Sequence, residues 1–453
     1  MRLLRVVVWS ALVVGLTLCG VSTATAQQLA GVHIDADGVL RMRVIDDPGG
    51  QLMRERLAAA QAALNPEVAV ASPLRKISLT RLERAVADRL AKGLRLGDEM
   101  RYLAGITRLQ YVFYYPESRD IVVAGPAGGW AEDLTGRVCS IETGRPVLQL
   151  EDLVVAMRAY PPGEKGGPTI GCSIDPTPEG LAKMQEFLRQ VGPHATPADT
   201  DTIVNGLRTS MGMQKVSVLG VSPRTHFAQV LVEADYRMKL IGIGLERPPI
   251  KMTSYVDRAS PAGVARNALQ RWFFVPDYQC VRVAGEKLAM ELVGDGVKLV
   301  GEGEVVNAAG GRVVSAGQDR ASQIFVTAFT KKYPQLAEKS PIYAQLRDLI
   351  DMSIAAAFIQ EQDYYTTAGW RMEFFGDEKK FATETCQAPE QVETAVTSIW
   401  KGTQLMTPLG GGVTVNAERA LEQSNLLPDD ENRVQSTRSA LKVDLADGQW
   451  WWD

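Results

Sequence analysis

The sequence predicts an α+β protein of mixed helix and strand, and three observations carry that expectation. Runs of branched and aromatic residues such as Leu109 to Tyr115 alternate with helical spacings such as Leu79, Leu82, Val86 and Leu90. Helix and strand signals succeed one another up to about Val191, as in a sheet with helices packed on it. From Arg320 the pattern turns helical, with broad apolar faces. The expected architecture is an α/β-like N-terminal part, a strand-rich middle and a helical C-terminal part.

Residues 1–26 read as a secretory signal. Arg2 and Arg5 form a basic start, Val6 to Leu18 an apolar run, and Ala24-Thr25-Ala26 the small residues of a cleavage site, so the mature chain is expected to begin at Gln27. The apolar run is shorter than the roughly 20 residues that span a bilayer. Leu18 stands where lipid attachment at Cys19 would call for a small residue. No later stretch is long and apolar enough to span, since Ile354 to Ile359 lies between Asp351 and Glu361. The expectation is a soluble, exported chain, periplasmic or extracellular, with roughly 430 residues left for two or three domains.

Residues 27–70 read as a hairpin and linker helix: strands Ala30 to Ile34 and Val39 to Val44 flank Asp35-Ala36-Asp37-Gly38, and a helix runs from Leu52 to Leu64. The acidic turn lacks the later ligands and closing Glu of a calcium loop. Residues 71–192 form the α/β-like domain. It holds a helix from Leu79 to a stop at Gly93, with Thr80 and Glu83 as a capping box. A strand pair, Leu109 to Tyr115 and Ile121 to Ala124, comes next. The helix Leu150 to Tyr160, the strand Thr169 to Ile174 and a helix capped by Thr177-Pro178 complete it.

A Pro- and Thr-rich link, 193–199, marks the first boundary. The strand-rich domain, 196–318, contains a helix to Ser210, strands Lys215 to Val221 and His226 to Ala234, and a hairpin of Leu288 to Val293 with Val297 to Val300 about Gly294-Asp295-Gly296. The closing region, 319–424, has helices Arg320 to Lys331 and Pro341 to Gln362, the second capped by Ser340. The polar stretch 425–453 reads as a disordered tail. It ends in Trp450-Trp451-Trp452-Asp453, expected either to dock an envelope partner or to fold back on the body.

With 49 basic and 53 acidic residues the chain is mildly acidic, which disfavours nucleic-acid binding. Zinc ribbons, His-Glu-x-x-His, Gly-x-Ser-x-Gly and phosphate loops are absent, and only three histidines exist, His33, His194 and His226. Two groups retain a catalytic reading. Arg224, His226 and Asp235 offer a base, an orienting carboxylate and an anion clamp about one strand. Cys172, Ser173 and Asp175 lie at a strand end ahead of a helix. Against these stand a strand-capping His226, a helix-starting Asp235 and a structural Cys172. Gly410-Gly411-Gly412 reads as a tight turn rather than a ligand-cradling loop, and Trp130 and Trp272-Phe273-Phe274 as core rather than exposed recognition aromatics. Once Cys19 leaves with the signal, Cys139, Cys172, Cys280 and Cys386 remain. They are either free thiols or paired, with Cys139 and Cys172 the favoured couple because they share a proposed domain.

Five stretches carry a resemblance: Tyr111-Val112-Phe113-Tyr114-Tyr115-Pro116, Arg145-Pro146-Val147-Leu148-Gln149-Leu150, Cys172-Ser173-Ile174-Asp175-Pro176-Thr177, Ala234-Asp235-Tyr236-Arg237-Met238-Lys239 and Leu405-Met406-Thr407-Pro408-Leu409-Gly410-Gly411-Gly412. Together, over roughly Ser78 to Leu421, they resemble an exported planctomycete family known only as a domain of unknown function. The resemblance implies no activity and assigns no residue. The sequence therefore favours a non-catalytic envelope protein that binds or organises a partner, with an unfamiliar hydrolase as the alternative. No catalytic, cofactor-binding or metal-binding residue is assigned.

Overall fold

The computed structural model describes residues 29–192, 196–259, 268–306, 312–314, 320–397, 399–401, 404–406 and 410–453. The expected signal segment, its expected cleavage point before Gln27, and His194 lie outside the described residues.

The fold is α+β. Among the described residues, nine strands form one sheet in the order Leu29–Ile34, Val39–Ile45, Gln391–Glu393, Met213–Leu219, Ile170–Asp175, Gly411–Val415, Ala268–Pro276, Val297–Val306 and Arg312–Val314. A second sheet of six runs Val281–Val283, Ala289–Leu292, Tyr111–Tyr115, Asp120–Ala127, Ser72–Ser78 and Trp451–Trp452. Both sheets take strands from both sides of the link at 193–199, so that link does not divide the chain into two independent sheets.

Local signals explain most elements. The first hairpin pairs Ile34 with Leu40, and Asp35 Oδ1 accepts from the backbone N–H of Asp37 and Val39, so the acidic turn spends its carboxylate on itself. The helix Leu79–Ala91 buries Leu79, Leu82 and Val86 as its spacing requires. Its cap is Ser78 rather than Thr80, and Glu83 closes no capping box. Glu83 is buried and accepts from Trp370 Nε1 at 2.5 Å and from the backbone N–H of Phe374 and Phe375 at 2.9 and 2.7 Å. Ser340 stands at the N-cap of Pro341–Glu361, but its hydroxyl takes no backbone N–H.

Three other expectations are corrected by packing. Leu288 to Val293 and Val297 to Val300 make no hairpin: Ala289–Leu292 pairs with Tyr111–Tyr115 in the smaller sheet, and Val297–Val306 pairs with Ala268–Pro276 in the larger. The Gly294-Asp295-Gly296 turn passes the chain from one sheet to the other. Gly411 and Gly412 lie within a strand rather than a tight turn. A Cβ on Gly411 would stand 2.2 Å from Trp272 O, and one on Gly412 2.3 Å from Cys172 O, so side-chain-free backbone lets this strand insert between its neighbours. No disulfide joins Cys139 to Cys172, and Cys280 and Cys386 are free as well. Cys172 lies mid-sheet, opposite Val413 and Val218, whereas Cys139 sits in a separate two-stranded ribbon opposite Ala131.

The helix Pro341–Glu361 is buried from Ile342 to Ile359 and packs against helices Leu150–Ala159 and His226–Gly242. A helix buried on every side belongs in a core, and its charged residues pair there, Arg347 Nη2 with Asp348 Oδ1 at 3.3 Å. Among the described residues no helix is long and apolar enough to cross a membrane. Trp130, Trp272 and Phe274 are core residues, as their strand setting implies.

The segment 425–453 is an ordered part of the body, not a disordered tail. It carries the helix Arg433–Ala440, whose Val434 is fully buried, and ends as an edge strand, with Trp451 opposite Ile77 and Trp452 opposite Lys76. Trp450 is 6% exposed, and its carbonyl accepts from Ser78 N–H at 2.9 Å. Composition alone misses this because the tail borrows its core: indole rings, and the alkyl stems of Arg75 and Lys76 beneath them, bury area that its own polar residues cannot.

Candidate functional site

Arg224, His226 and Asp235 do not converge. The expected strand His226 to Ala234 is the start of a helix, His226–Gly242, capped by Thr225, whose hydroxyl oxygen accepts from Ala228 N–H at 3.2 Å. Val230, Leu231 and Val232 suggest a strand, yet this helix is buried nearly all round, which erases the amphipathic period. His226 and Asp235 are nine residues apart on it, roughly 13 Å along the axis at ~1.5 Å per residue.

Asp235 instead meets Lys239, one turn on. Lys239 Nζ donates to Asp235 Oδ2 at 2.9 Å, to Ile174 O at 3.1 Å and to Gly411 O at 3.4 Å. Burial raises the Asp235 carboxyl to about 6, against the lowering pull of Lys239. The same burial, followed by the charge of Asp235, pushes the Cys172 thiol well above its ordinary range, so no thiolate is at hand there. Asp175 turns to Arg271, 3.0 Å away. Three of the stretches that carry the resemblance, around Cys172, Asp235 and Gly411, thus meet at one buried ion pair that ties a helix to the large sheet.

His226 has a carboxylate partner the sequence did not disclose. Its Nδ1 lies 2.8 Å from Asp152 Oδ2, so the imidazole donates to the first turn of Leu150–Ala159, and Gln149 Nε2 lies 3.4 Å from Nε2. The side chain is 22% exposed. Cys386 N–H donates to Arg224 O at 2.9 Å, which lays the Thr385-Cys386 segment beside this pair. Burial raises the Cys386 thiol, with Glu151 and Asp152 adding to the rise against a hydrogen bond with Thr385, so it stays protonated. For His226 burial acts to lower the pKa, but the charge and hydrogen bond of Asp152, with Glu151 behind, outweigh it and Arg137, and the net shift is upward.

That shift has a sign. A histidine raised above its unfolded value of about 6.5 contributes stability fully below that pH and loses it as pH rises through the folded midpoint. Asp152→Asn should bring the His226 midpoint down to or below about 6.5 and abolish the extra stability at low pH. Imidazole NMR titration, assigned with His226→Gln, checks this; an unchanged midpoint would contradict it.

A different feature has the form of a binding site. A groove of about 420 Å³ opens between the helix Gln51–Ala63, the turn Asp98–Arg101 and the strand Trp130–Glu132. Tyr102 and Trp130 meet edge to face at its floor, 5.9 Å between centroids, beside Val68 and Met100. Asn65, Glu99, Glu132 and Arg89 stand along its lining, and Asn65 Nδ2 donates to Glu99 Oε1 at 3.1 Å. Below the floor, Leu103, Ala104 and Gly105 take positive φ in succession, 44°, 49° and 80°. Leu103 and Ala104 are fully buried. Two non-glycine residues in the left-handed region cost of order 1–3 kcal/mol each and persist only where surroundings impose them. The surroundings are visible: a Cβ on Gly105 would stand 2.1 Å from Gly128 O and 2.9 Å from the Trp130 ring. The sequence favoured core packing for Trp130 over an exposed recognition role, and nothing in it flagged Tyr102 or this turn.

Among the described residues no group of His, Cys, Asp or Glu is placed to hold a metal ion. Residues 172–255 match the family model described as Protein of unknown function (DUF1598). That stretch holds two of the five resembling motifs, Cys172 to Thr177 and Ala234 to Lys239, and with them the Asp235–Lys239 pair. The Trp130 groove lies outside it. No curated protein and no solved structure matches the chain.

Proposed function

We propose that this chain is an exported, non-catalytic binding protein of the cell envelope, and that its ligand occupies the groove floored by Tyr102 and Trp130. The observation that carries the reading is the strained, buried Leu103-Ala104-Gly105 turn directly beneath an aromatic floor. Strain held in place by packing gathers at ligand sites, and the cavity is of the size that takes small ligands, about 300–1,000 Å³. The partly exposed Tyr102 ring, backed by Trp130 and set beside carboxylates and an amide, suits a ligand with one flat apolar face and several hydroxyl donors, such as a short oligosaccharide. Export rests on the signal pattern of residues 1–26.

Cello-oligosaccharides and N-acetylglucosamine oligomers are the probes, with hydrogen exchange as the readout. Binding should protect amides in 97–105 and 130–138, and Tyr102→Ala should weaken it at least about tenfold, the loss of roughly 1.4 kcal/mol of contact. Protection elsewhere, or an unchanged Tyr102→Ala, would overturn the assignment.

The hydrolase reading retains one supporting observation, the partly exposed His226–Asp152 pair. It requires His226→Gln to abolish turnover of whatever ester, amide or glycoside the protein cleaves. The Trp130 groove includes neither residue, so the two readings separate by variant.

A further inference from the structure

The outer edge of the strand Ser72–Ser78 is a built site for a short extended segment, and in this structure the chain fills it with its own last residues. Arg75, fully buried, donates from Nε and Nη2 to the two carboxylate oxygens of Asp453, both at 2.8 Å. Its guanidinium stacks on Trp451 at 4.7 Å, and Lys76 lies over Trp452 at 5.9 Å. Trp450 O takes Ser78 N–H at 2.9 Å. The occupant is thus held by a forked ion pair, two cation–π contacts and strand pairing, which is specific recognition of an extended segment rather than loose packing.

The connection to this occupant is slight. Leu441 and Val443 still pack on the body, but from Asp444 to Gln449 the chain has no regular element and is largely exposed. It turns back through Gly448, at φ 82°, closed by Gln449 N–H to Ala446 O at 3.1 Å. Six such residues span up to about 20 Å when extended. A strand seated by specific contacts and hung on a short surface turn can seat equally well on an identical neighbour, because every contact of the closed form is remade.

We propose that this edge accepts the Trp450–Asp453 segment of a second copy of the same chain, so that the protein assembles by reciprocal exchange of its last strand. Intramolecular closure competes through an effective concentration in the millimolar range for a short linker, so the closed monomer prevails in dilute solution and the exchanged form when copies are crowded or the turn is shortened.

The test deletes Ala446, Asp447 and Gly448, which prevents a tail from turning back onto its own strand. Ordinary and ¹⁵N-labelled full-length chains carrying the deletion, with Lys76→Cys and Trp452→Cys at positions that face each other across the two strands, are mixed and coupled by oxidation to a disulfide. The expected result is a dimer by light scattering whose linkages between positions 76 and 452 join light to heavy chains. A monomer, or a dimer whose linkages are not mixed, overturns the proposal. If the shortened chain does not fold, the undeleted chain at about 1 mM, near the effective concentration of its own tail, is mixed and coupled in the same way. Mixed linkages there support exchange, and linkages within one isotope alone refute it.

Discussion

Arg75→Met should destabilise the protein by about 2–5 kcal/mol, chiefly by stranding the buried carbonyls that its guanidinium serves, since Asp453 is itself 41% exposed and keeps much of its hydration. The guanidinium does more than hold Asp453. Its Nη1 donates to Val68 O and Ala104 O at 3.1 and 2.7 Å, and Nη2 to Val70 O at 2.9 Å. Methionine fills the volume but leaves these carbonyls without their donor, and each buried group so stranded costs about 1–3 kcal/mol. Asp453 responds in parallel. Burial tends to raise its carboxyl, but hydrogen bonds from Arg75 and Ser72 win and hold it below the usual range. Arg75→Lys should recover only part of the loss, since an ammonium cannot reproduce the planar fork. Denaturant unfolding measures the change, and limited proteolysis after Leu441 reports the released strand. A loss under about 1 kcal/mol would show that water replaces the guanidinium at its carbonyls.

Lys239→Met is expected to cost a similar amount, about 3–5 kcal/mol, by leaving Asp235 alone at zero exposure. The double variant Lys239→Met with Asp235→Leu should recover most of that loss, because a well-packed apolar pair avoids the desolvation both charges incur. The double-mutant cycle reads the coupling directly. A double variant as unstable as the single one would place the stabilisation in Lys239's bonds to Ile174 O and Gly411 O instead. Substitution of Gly411 by Ala tests the same junction from the other side, where the added methyl meets Trp272 O at 2.2 Å.

How much of this was legible depended on the range of the interaction. Hairpins and capped helices follow from neighbouring residues, so the pairing of Tyr111–Tyr115 with Asp120–Ala127 and the Thr177 cap were readable. The helix beginning at His226 was not, since burial on every side leaves it no polar face. Pairing between sheets was also hidden: Gly294-Asp295-Gly296 has the composition of a hairpin turn, and only the placement of its flanking strands in different sheets reveals a crossing. At the site, His226 was marked but given Asp235 as its carboxylate. Its real partner, Asp152, lies 74 residues away and carries no local signature. The Leu103-Ala104-Gly105 turn was illegible for a plainer reason, because leucine and alanine do not announce left-handed backbone.

Both sheets depend on chain that emerges late from the ribosome. The strand Gly411–Val415 sits between Ile170–Asp175 and Ala268–Pro276, and the strand Trp451–Trp452 supplies the rim of the smaller sheet. Until some four hundred residues have been made, the large sheet has a gap at its centre and its flanking edges are unpaired. Completing the large sheet therefore waits on contacts of long sequence separation, which slows folding and leaves strand edges open to association until Gly411–Val415 is seated.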